Sequence, residues 1–226
     1  MSIFEIYTAW LTIFTIGFSI LPIMLCREWQ RKRSSDGYSG FNFVCILLST
    51  SLWLRYATLT GDGAQLLINC VCFALFTSFS ACFLLYQSRK ATFLCQCLVG
   101  AVISAGLLLW VEQYEEEGGE KEKEMGLIAG FVQSLTFCGV LYEIMRVFRL
   151  RTTEYLPFGM TAGATLLQAQ YWIYAMALGD IYMRRAQEVG LVINAIIFML
   201  YVAFPPKTWV VPILGTGGMD AKQKHV

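Results

Sequence analysis

Two carboxamide side chains and two aromatic side chains occupy matched positions in apolar parts of this 226-residue chain. Asn69 and Gln187 lie 118 residues apart, and the same distance separates Trp53 from Tyr171. A carboxamide offers hydrogen-bond donors and an acceptor without carrying charge. An aromatic ring offers an apolar face, and Trp and Tyr each keep one polar group. The set therefore suits a neutral ligand with several hydroxyl groups. The alternatives are amides that only bridge helices and aromatic residues at the membrane interface.

These positions belong to an internal repeat with a constant offset of 118 residues. Four further residues of the first half recur unchanged in the second half: Tyr56, Ala57, Gly61 and Asp62 recur as Tyr174, Ala175, Gly179 and Asp180. A repeat of about a hundred residues in an apolar chain is typical of transporters built from two like halves. The repeat therefore predicts a substrate path between two similar groups of helices.

The composition of the chain predicts that the repeat lies in a membrane. The chain is 57% hydrophobic and 15% charged, with a mean hydropathy of +0.56. Its apolar residues form long blocks and not the stripes of a soluble helix. A membrane-spanning helix needs about 20 mostly apolar residues. Seven blocks qualify: Ile6–Cys26, Phe41–Leu59, Ala64–Gln87, Ala91–Val111, Met125–Phe148, Leu156–Leu178 and Ala186–Phe204. We therefore predict an all-α membrane protein with seven transmembrane helices.

The positive residues predict the orientation of the chain. If the N-terminus is outside, twelve of the seventeen Lys and Arg residues face the cytoplasm: Arg27, Arg31, Lys32, Arg33, Arg89, Lys90, Arg146, Arg149, Arg151, Lys207, Lys222 and Lys224. The positive-inside rule therefore favours an outer N-terminus and a cytoplasmic C-terminus, which requires an odd number of spans. The sequence leaves open whether this multi-pass protein lies in the plasma membrane or in the Golgi or another internal membrane.

The fourth block, Ala91–Val111, has no counterpart at the repeat offset. A single linker helix lets both repeats enter the membrane in the same direction, so we predict two parallel three-helix repeats joined by one helix (3+1+3). The predicted divisions are a first repeat at 1–90, the linker helix with an acidic outer loop at 91–124, a second repeat at 125–204 and a cytoplasmic tail at 205–226. The acidic run Glu112–Glu124 is predicted to be a solvated loop, and the tail is predicted to be disordered.

Cysteine spacing and the absence of enzyme motifs argue against metal sites and catalysis. The eight cysteines lie in predicted helices and not in outer loops, where oxidation would be expected. Cys70-x-Cys72 and Cys95-x-Cys97 lack the spacing of a zinc site, and His225 is the only histidine. The chain has no Gly-x-Ser-x-Gly or His-Glu-x-x-His motif, and its net charge of +1 argues against a nucleic-acid partner. We therefore expect a protein that is not an enzyme and needs no cofactor.

The order and spacing of several motifs resemble the SWEET family of sugar transporters. The resemblance runs from about Ile6 to Phe204. In the first half it rests on Trp53-Leu-Arg-Tyr56-Ala57, Gly61-Asp62 and Leu67-Ile68-Asn69, and in the second half on Thr153-Glu154-Tyr155-Leu156-Pro157-Phe158, Tyr171-Trp-Ile-Tyr174-Ala175 and Gly179-Asp180-Ile-Tyr182. Parallel repeats are a known feature of that family. The resemblance implies facilitated, bidirectional transport of mono- or disaccharides by alternating access, in a homo-oligomer surrounded by membrane lipid.

The resemblance also implies which residues bind the substrate. Asn69 and Gln187 stand where a pair of family asparagines contacts the sugar, and Gln187 is one methylene longer than asparagine. A pocket of different shape is therefore expected. Trp53 and Tyr171 stand where aromatic residues form walls around the substrate. Trp172, next to Tyr171, is the alternative for the second aromatic wall.

Gate and hinge roles follow from the same resemblance. It implies an outer gate between Tyr56 and Asp180, although a Gly-Asp pair can also simply end one helix and start the next. Four family prolines form hinges near the inner mouth, and their positions here are Pro22, Asn42, Val140 and Pro157. A proline removes one backbone hydrogen bond of a membrane helix. With only two of the four prolines present, hinge motion is expected to be less symmetric than in the family.

Arg55 and Glu143 are two charged residues within the apolar blocks. Glu143 can pair with Arg146 three residues later. Arg55 can extend to the outer surface, or it can reach the outer gate or Glu112. With no proton relay predicted in the middle of the membrane, uniport is the expected mechanism. The alternative is transport of another small neutral or zwitterionic solute on the same fold, as in PQ-loop transporters, although the chain has no Pro-Gln dipeptide. A seven-helix receptor fits the span count but not the repeat.

Overall fold

The computed structural model describes residues 2–115 and 119–218, without the side chains of residues 138, 139 and 142. The predicted features at Glu116, Glu117, Lys222, Lys224 and His225, and the side chain of Cys138, therefore lie outside the described part. Nine helices form within it: α1 (Ile3–Ser19), α2 (Ile23–Lys32), α3 (Phe41–Thr60), α4 (Gly63–Tyr86), α5 (Lys90–Val111), α6 (Glu120–Thr136), α7 (Cys138–Leu150), α8 (Phe158–Leu178) and α9 (Ile181–Ala203). One isolated bridge joins Val210 and Gly217.

The helices confirm the predicted fold class, an all-α membrane protein with the order 3+1+3. Two of the seven predicted spans, Ile6–Cys26 and Met125–Phe148, are each broken into two helices, α1–α2 and α6–α7. By length and composition, five described segments can cross a membrane: Ile3–Lys32, Phe41–Thr60, Gly63–Tyr86, Lys90–Val111 and Ile181–Ala203. The helix α8 has enough length but several polar residues, and the break leaves α6 and α7 short.

The chain divides into two compact units after Thr136. In the first unit, α3 packs against α4, α5 and α6, and both α1 and α2 pack against α4. In the second unit, α9 packs against α8 and α7. Each unit therefore contains one helix pair, α3–α4 or α8–α9, that carries the repeated residues.

The repeated Gly-Asp dipeptides form the turn of each helix pair. Gly61 ends α3 in the left-handed conformation with φ of 68°, and Gly179 ends α8 with φ of 73°. Asp62 then caps α4 by accepting hydrogen bonds from two backbone N–H groups, and Asp180 caps α9 by accepting one from Met183. A glycine adopts this conformation without strain and an aspartate is a favourable N-cap. The turn interpretation is therefore confirmed. We call this end of each pair the Gly-Asp end.

The first helical segment of each half is broken at a similar repeat position. Pro22 follows a short turn between α1 and α2, where Ile23 N–H donates to Ile20 O at 2.9 Å. In the second half the break falls at Phe137, without a proline. The Thr136 hydroxyl donates to Gln133 O at 2.6 Å, and hydroxyls that bond to carbonyls of the preceding turn tend to bend helices. A break therefore occurs in both halves although only one has the proline.

At the end of α3 and α4 opposite the Gly-Asp end, five aromatic residues form a cluster in the first unit: Trp29, Tyr38, Phe43, Phe83 and Phe93. The Trp29 ring is fully buried, with its centroid 5.3 Å from that of Phe83 and 6.0 Å from that of Phe43. Phe83 and Phe93 are 4.8 Å apart in an edge-to-face arrangement. Such pairs are each worth about 0.5–1.5 kcal/mol beyond their buried area. This aromatic cluster joins α2, α3, α4 and α5.

The segment that follows α9, residues 205–218, is ordered, so the prediction of a disordered tail is wrong for these residues. Val211 is fully buried in the apolar core of the second unit. The Glu154 carboxylate accepts hydrogen bonds from the backbone N–H groups of Lys207 at 2.7 Å and Thr208 at 3.1 Å, and from the Thr208 hydroxyl. The sequence suggested disorder because the tail is short and contains several glycines. The Glu154 carboxylate, just before α8, and contacts of Trp209 and Thr216 with Tyr201 of α9 nevertheless hold the segment in place.

We expect that Glu154→Ala releases this segment, because the substitution removes the acceptor of both backbone N–H groups. Trypsin should then cleave the chain after Lys207 several-fold faster in the variant than in the native protein, as mass spectrometry of the released fragment would show. Glu143→Ala is the matched control, because Glu143 pairs with Arg146 on α7. Equal cleavage rates in native protein and Glu154→Ala would refute the role of this carboxylate.

Candidate functional site

The aromatic and amide residues of the repeat lie at equal distances from the turn of each helix pair. Trp53 and Asn69 are each eight residues from Gly61, and Tyr171 and Gln187 are each eight residues from Gly179. At 1.5 Å per residue, each residue lies about 12 Å from its turn. We expect the turns to lie at the membrane surface, which would put this level near the middle of a hydrocarbon core about 30 Å thick. We call Trp53 and Asn69 the first layer, and Tyr171 and Gln187 the second layer.

Trp53 is buried in α3, with 8% of its surface exposed. Its ring contacts that of Tyr56 edge to face, with the centroids 5.4 Å apart. The indole N–H is buried and has no acceptor among the described residues. A buried donor without an acceptor is unfavourable by about 1–3 kcal/mol. The first layer therefore contains a hydrogen-bond donor that no described residue satisfies.

Asn69 is a buried residue of α4, with 9% exposure. Its Nδ2 donates to the backbone oxygen of Gln65 at 2.8 Å and to the Gln65 side-chain oxygen at 3.2 Å. These bonds fix the orientation of the amide one turn from Gln65. Among the described residues no donor reaches Asn69 Oδ1. The oriented carbonyl can therefore accept a hydrogen bond from a ligand hydroxyl.

Gln187 is buried in α9 with 6% exposure, and its amide makes no hydrogen bond within the described part of the chain. Tyr171 is half-buried in α8. Buried polar groups in proteins are usually hydrogen-bonded, so an unused amide in a membrane helix is an uncommon feature. The second layer thus offers both donors and an acceptor to a ligand.

The residues of the predicted outer gate both lie near the Gly-Asp ends. Tyr56 is buried in the last turns of α3, with 3% exposure. The Asp180 Oδ1 accepts a hydrogen bond from Met183 N–H at 2.9 Å, which caps α9. The structural role of Asp180 is therefore clear, and its pairing with Tyr56 stays a prediction.

The four predicted hinge positions differ in their surroundings. Pro22 lies at the break between α1 and α2, and Pro157 is the N-cap residue of α8. Asn42 is exposed in the first turn of α3. Val140 lies in the first turn of α7 and packs on the core of the second unit. A helix break is seen at or next to the first and third positions, and the hinge function of all four stays a prediction.

Glu188 was missed in the sequence as a charged residue within an apolar block. It lies in α9 next to Gln187, and its Oε1 accepts a hydrogen bond from the indole N–H of Trp172 at 3.3 Å. Its Oε2 lies 2.8 Å from Arg185 Nη1. The helix α9 starts at Ile181 and not at Ala186 as predicted, so both arginines, Arg184 and Arg185, are helical too. The sequence did contain a signal for this position, because Glu188 is a glutamate inside the predicted span Ala186–Phe204.

Three charged residues join α3, α5 and α6 near the Gly-Asp end of the first unit. Glu112 Oε1 lies 2.6 Å from Arg55 Nη2, and Glu112 Oε2 lies 3.1 Å from Lys121 Nζ. The possibility that Arg55 reaches Glu112 is thereby confirmed. The helix α6 begins at Glu120, and Lys121 is buried, so the acidic run Glu112–Glu124 is not a solvated loop throughout. A local pair of Glu143 with Arg146 at 3.5 Å is also confirmed.

We expect the Glu112 contacts to be insensitive to mildly acidic pH. Hydrogen bonds from Lys121 and Arg55 hold the pKa of Glu112 below its usual value of 4.5. A carboxyl group whose pKa is lower in the folded state than in the unfolded state stabilises the fold at pH values above its unfolded-state pKa. This contribution is lost as the pH falls through the folded-state pKa. The difference in melting temperature between native protein and Glu112→Gln should therefore stay constant from about pH 7.5 to about pH 5.5 and shrink only below about pH 4.5. A difference that disappears by about pH 5.5 would contradict this assignment.

Comparison with protein families gives a match to the family described as "Sugar efflux transporter for intercellular exchange", over residues 7–91 and 123–209. The chain is 26% identical over 207 residues to sugar transporter SWEET1 of Drosophila pseudoobscura pseudoobscura, covering 91% of this chain and 92% of the relative. It is 27% identical over 215 residues to bidirectional sugar transporter SWEET11 of Arabidopsis thaliana, covering 90% of this chain and 74% of the relative. The two matched stretches contain the two halves of the repeat.

The fold is similar to that of a solved structure of a eukaryotic SWEET transporter. The TM-score is 0.75 at 17% sequence identity, and the match covers 90% of this chain and 99% of the solved chain. The overall helical fold of this chain is therefore one that has been seen by experiment.

Proposed function

The chain belongs to the SWEET family of sugar transporters, and on that premise we propose that it carries mono- or disaccharides across a membrane in both directions as a uniporter. The family is one of transporters and not of enzymes. The proposed mechanism is alternating access, in which a bound sugar is exposed first to one side of the membrane and then to the other. We also propose an outer N-terminus, a cytoplasmic C-terminus and a homo-oligomer in the plasma membrane or a Golgi-type membrane.

The observation that best supports this proposal is the unused hydrogen-bonding capacity of the two layers. Trp53 Nε1, Asn69 Oδ1 and the Gln187 amide are buried or nearly so and have no partner among the described residues. All three groups are uncharged. A ligand that bonds to groups of this kind must carry neutral donors and acceptors, as a sugar does.

The aromatic residues complete the proposed recognition of a sugar. The C–H face of a sugar ring is apolar, and Trp53 and Tyr171 provide aromatic surface at the level of the amides. Asn69 and Gln187 would contact the hydroxyl groups at the ring edge. Because Gln187 is longer than asparagine, we propose a ligand position or size that differs from that in relatives with two asparagines.

Uniport is supported by the state of the charged residues in the described helices. Glu188 is already bound by Arg185 and by Trp172, and Arg55 is bound by Glu112. A carboxylate that carries protons across the membrane would have to exchange such partners in each cycle. The proposed conformational change instead uses the helix breaks near Pro22 and Phe137 and opening of a gate that includes Tyr56 and Asp180.

The proposal is tested by uptake and efflux of radiolabelled solutes in cells that lack their own hexose carriers. Glucose, sucrose and a neutral amino acid are compared, with expression at the membrane verified. Flux of a sugar in both directions, without flux of the amino acid, is expected. Flux of the amino acid alone would favour the alternative, a transporter of a zwitterionic solute on the same fold. No flux of any sugar from a well-expressed chain would refute the proposed substrate.

A further inference from the structure

The helix pair α8–α9 contains a polar cluster that the pair α3–α4 lacks. Trp172 Nε1 donates to Glu188 Oε1 at 3.3 Å, Arg185 Nη1 lies 2.8 Å from Glu188 Oε2, and Arg184 Nε lies 3.6 Å from Glu188 Oε1. At the repeat offset, the corresponding residues of the first half are all uncharged: Leu54, Leu66, Leu67 and Cys70. The cluster is therefore not part of the repeat and belongs to the second half alone.

The depth of Glu188 requires an explanation. It lies seven residues after Ile181, which is about 10 Å along the helix from the start of α9. A charge at such a depth is unfavourable unless it is paired, and intramembrane carboxylates commonly have a functional role. Arg184 and Arg185 lie one turn closer to the membrane surface and supply the pairing. The Trp172 indole is the partner from the facing helix.

The Trp172–Glu188 contact lies directly beside the second layer. Trp172 follows Tyr171 in α8, and Glu188 follows Gln187 in α9. A hydrogen bond between these neighbours joins the two helices at this level. It therefore fixes how far each helix is rotated about its axis, and hence the direction in which Tyr171 and Gln187 point. A second polar contact, from Asn194 Nδ2 to Gln168 Oε1 at 2.8 Å, joins the same helices further from the Gly-Asp end.

We propose that Glu188 is a positioning residue for substrate recognition: it binds the Trp172 indole and thereby sets Tyr171 and Gln187 for contact with the substrate. This inference rests on the proposed function, because Tyr171 and Gln187 are proposed to bind the sugar. The bond to Trp172 needs an acceptor oxygen at Glu188 and does not need the negative charge. Substrate recognition should therefore be preserved when glutamine replaces Glu188, and it should be weakened when alanine replaces Glu188.

Transport kinetics of four variants test the inference. Trp172→Phe and Glu188→Ala should each raise the KM for the transported sugar about five- to tenfold, with the maximal rate changed less than about twofold. The double variant should be no worse than the more affected single variant, because both substitutions break the same contact. Glu188→Gln should keep KM within about twofold of the native value. Arg146→Ala is the matched control, since it removes an arginine from an equivalent pair three residues apart, Glu143–Arg146 on α7, outside the polar cluster. Its KM should stay within about twofold of the native value.

Three outcomes would overturn the inference. An equal rise in KM for Glu188→Gln and Glu188→Ala would show that the charge matters and not the positioning bond. Additive effects of Trp172→Phe and Glu188→Ala would show that the two residues act separately. A loss of maximal rate at unchanged KM would place Glu188 in the conformational change instead. If Glu188→Ala does not fold, Trp172→Phe and Glu188→Gln still test the inference, because Trp172→Phe should raise KM and Glu188→Gln should leave it near the native value. A native KM for Trp172→Phe, or a raised KM for Glu188→Gln, would overturn it.

Failure of the proposed function is recognised separately, because the native chain would then carry no sugar. The Trp172–Glu188 contact can still be measured in that case by melting temperatures in detergent. The loss of stability caused by Trp172→Phe should vanish in a Glu188→Ala background. If Trp172→Phe lowers the melting temperature by the same amount in the Glu188→Ala background as in the native protein, the contact between Trp172 and Glu188 does not form.

Discussion

Replacement of either Asn69 or Gln187 by alanine is expected to lower sugar flux about five- to 150-fold at a concentration below KM. Each substitution removes the amide of a buried residue, and part of the hydrogen-bonding capacity of that amide has no partner among the described residues. A ligand hydroxyl left without its partner in a buried site loses about 1–3 kcal/mol, and about 1.4 kcal/mol corresponds to a factor of ten. Radiolabelled uptake, normalised to the amount of protein in the membrane, measures the effect.

Asn194→Ala is the matched control for this prediction. Asn194 is also a buried amide in α9, with 7% exposure, but its Nδ2 is bonded to Gln168 Oε1 on α8. Its removal should lower the melting temperature, because a contact between helices is lost, and should leave most of the flux. Native flux in both Asn69→Ala and Gln187→Ala would remove these residues from the substrate site. An equal loss of flux in all three variants would indicate a general effect of removing buried amides.

Gly40→Ala is expected to destabilise the first unit strongly. A Cβ atom at Gly40 would lie 2.5 Å from Phe93 Cδ2 and 2.7 Å from Phe83 Cε1. Both rings belong to the aromatic cluster and are buried, with 3% and 0% exposure, so they have little room to move. Overpacking of this kind costs about 1–3 kcal/mol. Melting temperature in detergent and the yield of folded protein should both fall.

The control for overpacking is Gly106→Ala in α5, where no described atom outside the neighbouring residues and the backbone of α5 itself lies within 4 Å of an added Cβ. Alanine favours a helix more than glycine does, so this control should melt at the native temperature or slightly above it. A native melting temperature for Gly40→Ala would mean that Phe83 and Phe93 can move aside. The aromatic cluster would then be less tightly packed than its ring distances indicate.

The turns between the paired helices were predictable because their signals are local. Gly61 and Gly179 are followed directly by Asp62 and Asp180, and each pair adopts the conformation that its residue types favour. The depth of the two layers follows from the same turns, since it depends only on counting residues along regular helices. The fold class could therefore be predicted from the apolar blocks and the repeat, whereas the place of the substrate site at this level stays a prediction.

The features that sequence did not predict depend on contacts between distant residues. The order of residues 205–218 depends on Glu154, which is more than fifty residues away from its partners Lys207 and Thr208. The break at Phe137 has no proline to mark it. The arginines at 184 and 185 made α9 appear to start at Ala186, so that Glu188 stood near the end of the predicted span and not two turns inside a helix. Charged residues near a helix end are ambiguous until their partners are known.

The most direct test of the central proposal is sugar counterflow in liposomes that contain only the purified protein. Vesicles loaded with unlabelled glucose are diluted into labelled glucose, with and without a pH gradient, and the Asn69→Ala variant is measured beside the native chain. The proposed uniport predicts transient accumulation of label by the native protein, unchanged by the pH gradient and strongly reduced in the variant. Accumulation that requires the pH gradient, or equal accumulation by both proteins, would contradict it.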